Sequence, residues 1–117
     1  MAEGRPTIST HVLDLERGVP ATSVPIELFW MDEGRMTRVV EATTDGDGRV
    51  RDLLDGADLR ATYYELSFDP MAYRQRLTGD AGFFLRLTVG FEVTDTSRSY
   101  HVPLLLSPFG LSTYRGS

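Results

Sequence analysis

Four residues of this sequence could carry acid–base or hydrolytic chemistry. His11 and His101 are the only histidines among the 117 residues, and each lies within a run of strand-forming residues. An imidazole with an ordinary pKa of about 6.5 can accept and return a proton near neutral pH. Arg49 follows a glycine-rich turn and offers a planar, permanently charged set of donors that suits carbonyl oxygens and developing oxyanions. Ser117, the last residue, carries both a hydroxyl and the terminal carboxylate.

Each of these residues also has an ordinary structural explanation. A lone strand histidine is more often a surface or core residue with a local hydrogen-bond partner, and Arg49 could simply be a solvated turn arginine. The final segment, residues 112–117, would by default be a frayed chain end. Local sequence alone therefore predicts a β-sandwich and leaves its function open.

The sequence does not predict a metal or cofactor site. Residues 45–47, Asp-Gly-Asp, resemble the start of a calcium loop, but three later positions do not fit. Arg49 stands where a ligand is needed, Val50 where a glycine is needed, and Gly56 where a glutamate is needed. The two histidines share no ligand spacing with a carboxylate, and the chain has no cysteine. We therefore expect neither a metal ion nor an organic cofactor.

Composition and charge limit the partners and the compartment. The net charge is −5 and the arginines are scattered singly, which argues against a nucleic-acid partner. The longest apolar run, residues 102–106, is far too short to span a bilayer, and the first residues do not resemble a signal peptide. Together with the lack of cysteine, this pattern predicts a cytoplasmic protein with no membrane partner.

The elements that must position these residues are mainly strands. Residues 24–31 and 85–93 alternate apolar and polar side chains, as strands with one buried face do. Weaker strand patterns cover residues 7–14, 36–44, 61–68, 98–107 and 111–115. One short helix is expected after Phe68, with Asp69 as its N-cap and Pro70 in its first turn. The sequence predicts an all-β sandwich with one short helix, in a single domain over residues 1–117 whose residues 1–6 are disordered.

The strand period also assigns faces to the two histidines. His11 shares a face with Ser9 and Leu13, and His101 shares a face with Pro103 and Leu105. Apolar residues beside polar ones on an outward face indicate a surface that another subunit covers.

Three stretches of the sequence resemble the transthyretin-like 5-hydroxyisourate hydrolase family. They are Ser-Thr-His-Val-Leu-Asp at residues 9–14, Thr-Asp-Gly-Asp-Gly-Arg at 44–49, and Tyr-His-Val-Pro-Leu-Leu-Leu-Ser-Pro at 100–108, which leads to the terminal Tyr-Arg-Gly-Ser. That terminal tetrapeptide is similar to the signature that separates these hydrolases from hormone-carrying transthyretins. The sequence departs from the common pattern at Phe109 and Leu111, where many relatives have tyrosines, and in the segment after the paired phenylalanines.

The resemblance implies a sandwich of two four-stranded sheets, assembled as a homotetramer with an active site in the channel between dimers. It implies His11, Arg49, His101 and Ser117 as catalytic residues, with Arg49, Tyr114 and Ser117 binding substrate. The implied reaction is hydrolysis of 5-hydroxyisourate to 2-oxo-4-hydroxy-4-carboxy-5-ureidoimidazoline in urate degradation. The residues do not decide which histidine is the base, or whether Ser117 acts through its hydroxyl or its carboxylate.

Two other classes of function remain open at this point. A transthyretin-type carrier would bind a small aromatic ligand in the same inter-dimer channel without chemistry. A plain interaction module, such as an adhesion domain, would need neither the paired histidines nor the terminal tetrapeptide.

Overall fold

The fold is built from short strands and one helix. A computed structural model of the protein describes residues 5–80 and 82–116. Along the chain these residues form β1 (Ile8–Asp14), β2 (Val19–Pro20), β3 (Pro25–Asp32), β4 (Arg35–Thr43), β5 (Arg49–Val50), β6 (Tyr63–Phe68), α1 (Pro70–Thr78), β7 (Leu87–Glu92), β8 (Tyr100–His101), β9 (Leu104–Ser107) and β10 (Gly110–Thr113).

The first sheet has β1 at its centre and contains six of these strands. The parallel strands β8 and β9 follow one another along one edge of β1, and the antiparallel strands β5 and β2 follow one another along its other edge. Strand β10 pairs with the far side of β9. Because the short strands lie end to end, the six segments fill only four positions across the sheet, as the sequence resemblance implied.

The second sheet has four antiparallel strands in the order β4-β3-β6-β7. Strand β3 has an irregular register between Leu28 and Phe29, opposite β4. The core lies between the two sheets and is formed by inward-facing apolar side chains of both. Its largest fully buried members are Tyr64, Phe68, Ile8, Ile26, Leu28, Leu53, Leu54, Leu66, Leu104, Leu106, Val12 and Val24.

The helix begins where the sequence predicts. The Asp69 side chain accepts a hydrogen bond from the Ala72 amide, Pro70 begins the helix, and Gly79 ends it in the left-handed conformation. No helix within residues 5–80 and 82–116 is long and apolar enough to cross a membrane.

A buried carboxylate joins the helix to the central strand. The Asp14 side chain is 1% exposed, accepts a 2.8 Å hydrogen bond from the Tyr73 hydroxyl, and accepts two more from the amides of Glu16 and Arg17. Burial and the neighbouring carboxylate raise the pKa of Tyr73 to about 12, so its hydroxyl stays a donor across the working pH range. Asp14 therefore fixes the end of β1 against α1 and faces away from His11.

Strand boundaries differ from the predictions at a few points. The pattern of residues 85–93 becomes a strand only from Leu87, and the predicted strand over residues 98–107 is two strands, β8 and β9, separated by Val102 and Pro103. Proline has no amide hydrogen and cannot donate to the ladder, which explains the interruption. Of the predicted disordered residues 1–6, residues 1–4 lie outside the described part, and Arg5 forms a 2.7 Å ion pair with Asp58.

Candidate active site

The candidate catalytic residues meet on the outward face of the first sheet. Side chains of β1 alternate strictly between the core and the surface, so that Ser9, His11 and Leu13 point outward. His11 lies opposite Arg49 of β5, and Ser9 lies opposite His101 of β8. Strand pairing thus brings together three of the four residues that the sequence singled out, from three separate segments of the chain.

A tight turn delivers Arg49 to this face. The Asp45 carboxylate accepts hydrogen bonds from the amides of Asp47 and Arg49, at 2.8 and 3.0 Å, and these bonds lower the pKa of Asp45. Gly48 has a φ of +75°, and a Cβ at this position would lie 2.5 Å from the Val12 carbonyl oxygen. The turn is therefore in direct contact with β1. It requires glycine because of the positive φ and because there is no room for a Cβ.

His101 is held by hydrogen bonding and by close packing. Its Nδ1 lies 2.8 Å from the Ser9 Oγ, and Gly116 pairs with it as an isolated antiparallel bridge. The Gly116 amide donates a 2.7 Å hydrogen bond to the His101 carbonyl oxygen. The His101 side chain is consequently fixed between β1 and the last residues of the chain.

A surface depression of about 370 Å³ lies on this outward face of the first sheet. Its lining residues are Ser9, Thr10, Arg49, Arg51, Ser99 and His101, and none of these described residues is acidic. His11 lies on the same face, opposite Arg49, but does not line the depression itself. The arrangement presents imidazole, guanidinium and hydroxyl groups to a small molecule, which suits a neutral or anionic polar ligand.

The surroundings of His101 keep its imidazole neutral. Burial lowers the pKa of His101 below its ordinary value, and the nearby Arg49 and His11 lower it further, while the Ser9 backbone carbonyl acts in the opposite direction. A neutral imidazole has one ring nitrogen able to accept a proton. His101 is therefore suited to the role of proton acceptor near neutral pH.

The end of the chain follows the same sheet. Beyond β10 the ladder with β9 is interrupted, and it resumes at Gly116 in the same register. Tyr114 is 56% exposed, and the Arg115 guanidinium lies over the Tyr100 ring at 4.9 Å from its centre. Of these residues only Gly116 contacts His101, whereas Tyr114 and Arg115 line a separate cavity beside Phe91 and Tyr100 and not the depression. Ser117, the fourth candidate, lies outside the described residues.

Sequence reasoning did not assign to the site four of the residues that line the depression, namely Ser9, Thr10, Arg51 and Ser99. Ser9 was placed on the face of His11 but not linked to His101, which is 92 positions away in the sequence. Arg51 lines the depression beside Arg49 because Val50, between them, packs against the core. The alternation of residues 49–51 could have indicated Arg51, whereas only the register of β1 and β8 identifies the partner of Ser9.

Comparisons with known proteins agree with this arrangement. The family model described as HIUase/Transthyretin family matches residues 8–116. The chain belongs to this family. A 5-hydroxyisourate hydrolase from Deinococcus radiodurans is 41% identical over 117 residues, which cover 97% of this chain and 98% of that protein.

Solved structures of the HIUase/Transthyretin family include both of its branches. The 5-hydroxyisourate hydrolase of Klebsiella pneumoniae superposes with a TM-score of 0.82 at 34% identity, covering 96% of this chain and 99% of that one. A transthyretin from Sparus aurata gives a TM-score of 0.86 at 28% identity, covering 96% and 97%. The fold is therefore that of both branches, and similarity of fold does not by itself decide between a hydrolase and a carrier.

The influence of Arg49 on His101 can be measured directly. In the Arg49→Gln variant, the loss of the positive charge should raise the pKa of His101 toward its ordinary value, although burial, the larger cause, still holds it down. Titration of the imidazole C–H protons by NMR would measure this change. Arg35→Gln, the same substitution on strand β4 of the other sheet, is the matched control and should leave the His101 titration unchanged. An identical titration curve in Arg49→Gln would show that the two groups do not interact.

Proposed function

We propose that this protein is a 5-hydroxyisourate hydrolase. It opens the six-membered ring of 5-hydroxyisourate at an amide-like C–N bond and yields 2-oxo-4-hydroxy-4-carboxy-5-ureidoimidazoline in urate degradation. The observation that carries the proposal is the convergence of His11, Arg49 and His101 on one sheet face. Relatives named 5-hydroxyisourate hydrolase, at 35% and 41% identity over nearly the whole chain, support it.

The reaction needs an activated water, stabilisation of the attacked carbonyl oxygen and a proton for the leaving nitrogen. In the proposed mechanism, neutral His101 accepts a proton as water adds to the ring carbonyl. Arg49 donates hydrogen bonds to the oxyanion that develops on that carbonyl. The C–N bond then breaks and the proton taken up by His101 passes to the leaving nitrogen. The former carbonyl carbon becomes a carboxylic acid, which releases the second proton of the water to solvent as it ionises to the carboxylate. No metal ion or organic cofactor takes part in this proposal.

His11 and the chain end complete the proposed site. His11, opposite Arg49, orients the water or substrate and by its position contributes to keeping His101 neutral. Tyr114 and Ser117 add substrate contacts from the chain end to those of Arg49. Ser117 is included because of the terminal Tyr-Arg-Gly-Ser, and its hydroxyl and its carboxylate remain two separate candidates for the contact.

The proposal includes assembly as a homotetramer, acting in the cytoplasm. Leu13 and Leu105 lie half-buried on the same outward face as the histidines and give a second subunit apolar surface to cover. Strands β7 and β10 each lie at one edge of their sheet, where they can pair with a strand of another chain. A second subunit placed over the outward face would turn the surface depression into an enclosed channel that holds the reacting water but excludes bulk solvent.

The carrier function accounts for fewer of these features. Its support is the close superposition with transthyretins, one of which was solved in complex with thyroxine. A carrier of an aromatic ligand has no need for two imidazoles and a guanidinium held on one face. The hydrolase is therefore the function that the site supports better.

Activity on 5-hydroxyisourate is the first test. Purified protein should accelerate the loss of the ultraviolet absorbance of freshly generated 5-hydroxyisourate well above the spontaneous rate, with equal activity after treatment with a chelator. Buffer alone and heat-denatured protein are the controls. Decay at the spontaneous rate would exclude the hydrolase and favour the carrier.

The two histidines should each be needed for turnover. We expect His11→Ala and His101→Ala to lower kcat/KM by about a hundredfold, the typical contribution of acid–base catalysis. Both side chains lie on the outward face, so circular dichroism should show an unchanged sheet spectrum. A variant that hydrolyses substrate at nearly the wild-type rate would remove its histidine from the mechanism.

Removal of residues 114–117 tests the role of the chain end. The truncated protein should lose turnover, because it lacks the proposed substrate contacts of Tyr114 and Ser117 and the bridge from Gly116 to His101. Light scattering should report four chains per particle both before and after truncation. Deletion of residues 1–4 removes the same number of residues from the other end and should preserve the rate. Full activity of the truncated protein would exclude the tail from the site, and a monomeric particle with full activity would contradict the shared channel.

A further inference from the structure

The imidazole of His101 is held at both of its edges. On one edge Nδ1 is 2.8 Å from the Ser9 hydroxyl oxygen. On the other edge the backbone of Gly116 lies so close that a Cβ added there would be 2.7 Å from the His101 Cδ2. These two contacts come from opposite neighbours of β8, namely the central strand and the chain end.

We propose that Ser9 and Gly116 are positioning residues that fix the orientation of His101, so that Nε2 is the nitrogen offered to substrate or water. The inference rests on the proposed function, because it concerns the group assigned there as proton acceptor. Within the described residues Nδ1 has a hydrogen-bond partner, whereas no hydrogen bond is formed by Nε2.

The register of the sheet makes the Ser9 contact reliable. Ser9 and His101 are direct partners on neighbouring strands, and the buried Thr10 hydroxyl donates a 2.6 Å hydrogen bond to the Val102 carbonyl oxygen one position further along. A shift of β1 against β8 would break this buried hydrogen bond and turn Ser9 to the opposite face. The serine hydroxyl is therefore held within hydrogen-bond distance of the imidazole by the fold itself.

Gly116 is required for close packing and not for an unusual backbone conformation. Its φ lies outside the positive region, which six other glycines of the described residues occupy. An alanine Cβ would also meet Cβ and Cγ of His101, each at 3.2 Å. Either the imidazole or the chain end would have to move to accommodate it.

Ring orientation decides which atom the site presents. A half-turn about the Cβ–Cγ bond exchanges Nδ1 with Cδ2 and Nε2 with Cε1, so a carbon would replace the accepting nitrogen. The Ser9 hydroxyl can bond a ring nitrogen but not a C–H edge in the same way, so its loss weakens the preference for one orientation. The proposal therefore predicts a change in tautomer and orientation as well as a change in rate.

NMR of the imidazoles tests this without any substrate. The chain has two histidines, and His11→Ala assigns the remaining ring signals to His101. In the wild-type protein, long-range ¹H–¹⁵N spectra above the His101 pKa should show one dominant neutral tautomer with the proton on Nδ1, which donates to the Ser9 hydroxyl oxygen; a proton on Nε2 would overturn the proposal. Ser9→Ala should give a mixture of tautomers, and Ser9→Thr, which retains the hydroxyl, should restore the wild-type spectrum.

Kinetics gives the second measurement. Ser9→Ala and Gly116→Ala should each lower kcat by about tenfold, the effect of one lost hydrogen bond or equivalent contact, with a smaller change in KM. Ser9→Thr should recover most of the rate. Two substitutions away from the imidazole are the matched controls and should behave as wild type. Ser97→Ala removes a hydroxyl that donates a hydrogen bond to Asp95, and the Cβ added by Gly46→Ala would meet nothing within 4 Å.

The possible outcomes separate this inference from the proposed function. A tautomer mixture in the wild-type protein, or an unchanged spectrum and rate in Ser9→Ala, would overturn the role of Ser9. An unchanged spectrum and rate in Gly116→Ala would overturn the role of Gly116. If the wild-type protein does not hydrolyse 5-hydroxyisourate but the spectra respond as expected, the proposed function fails while the fixed orientation of His101 stands.

Discussion

The alternation of side chains along β1 is the constraint on which the site depends. Its inward residues are buried in the core, and Asp14 at its end is bound to Tyr73 of the helix. A slip by one residue would bury His11 and expose the core residues, so the register is fixed by the hydrophobic effect and by buried hydrogen bonds. Because β1 is paired along both edges, the same constraint places Arg49 on one side and His101 on the other.

Pro103 and the chain end illustrate how the sheet accommodates a functional residue at its margin. Pro103 cannot donate to the ladder, and its carbonyl oxygen instead accepts a 2.7 Å hydrogen bond from the Thr113 hydroxyl. Pairing resumes at Gly116 in the register that β9 and β10 had established. The chain end is therefore guided past His101 by the sheet, although terminal residues are by default poorly ordered.

The sequence predicts those parts of the fold whose signals are local or periodic. The helix follows from Asp69 and Pro70, and the longer strands follow from their alternation. Strands β2 and β5 are two residues long, too short for any periodicity, and were not predicted. The contact between Ser9 and His101 depends on strand order, which no local pattern contains, so the sequence indicated the candidate residues but not their arrangement.

Hydrolases and carriers of this family share one fold, so the fold cannot distinguish their functions. The difference must come from the side chains on the outward face of the first sheet. The core, the two sheets and the helix serve a hydrolase and a carrier equally well, as the similar TM-scores against both show. What requires explanation is a partly buried histidine whose pKa is lowered, next to an arginine for which no carboxylate partner is found within residues 5–80 and 82–116. Repulsion between two cationic or potentially cationic groups lowers the stability of the fold. Such a pair is therefore expected where a ligand or a reaction makes use of it. Oxyanion stabilisation beside a neutral imidazole uses both groups, whereas a carrier has no use for a proton acceptor beside the arginine.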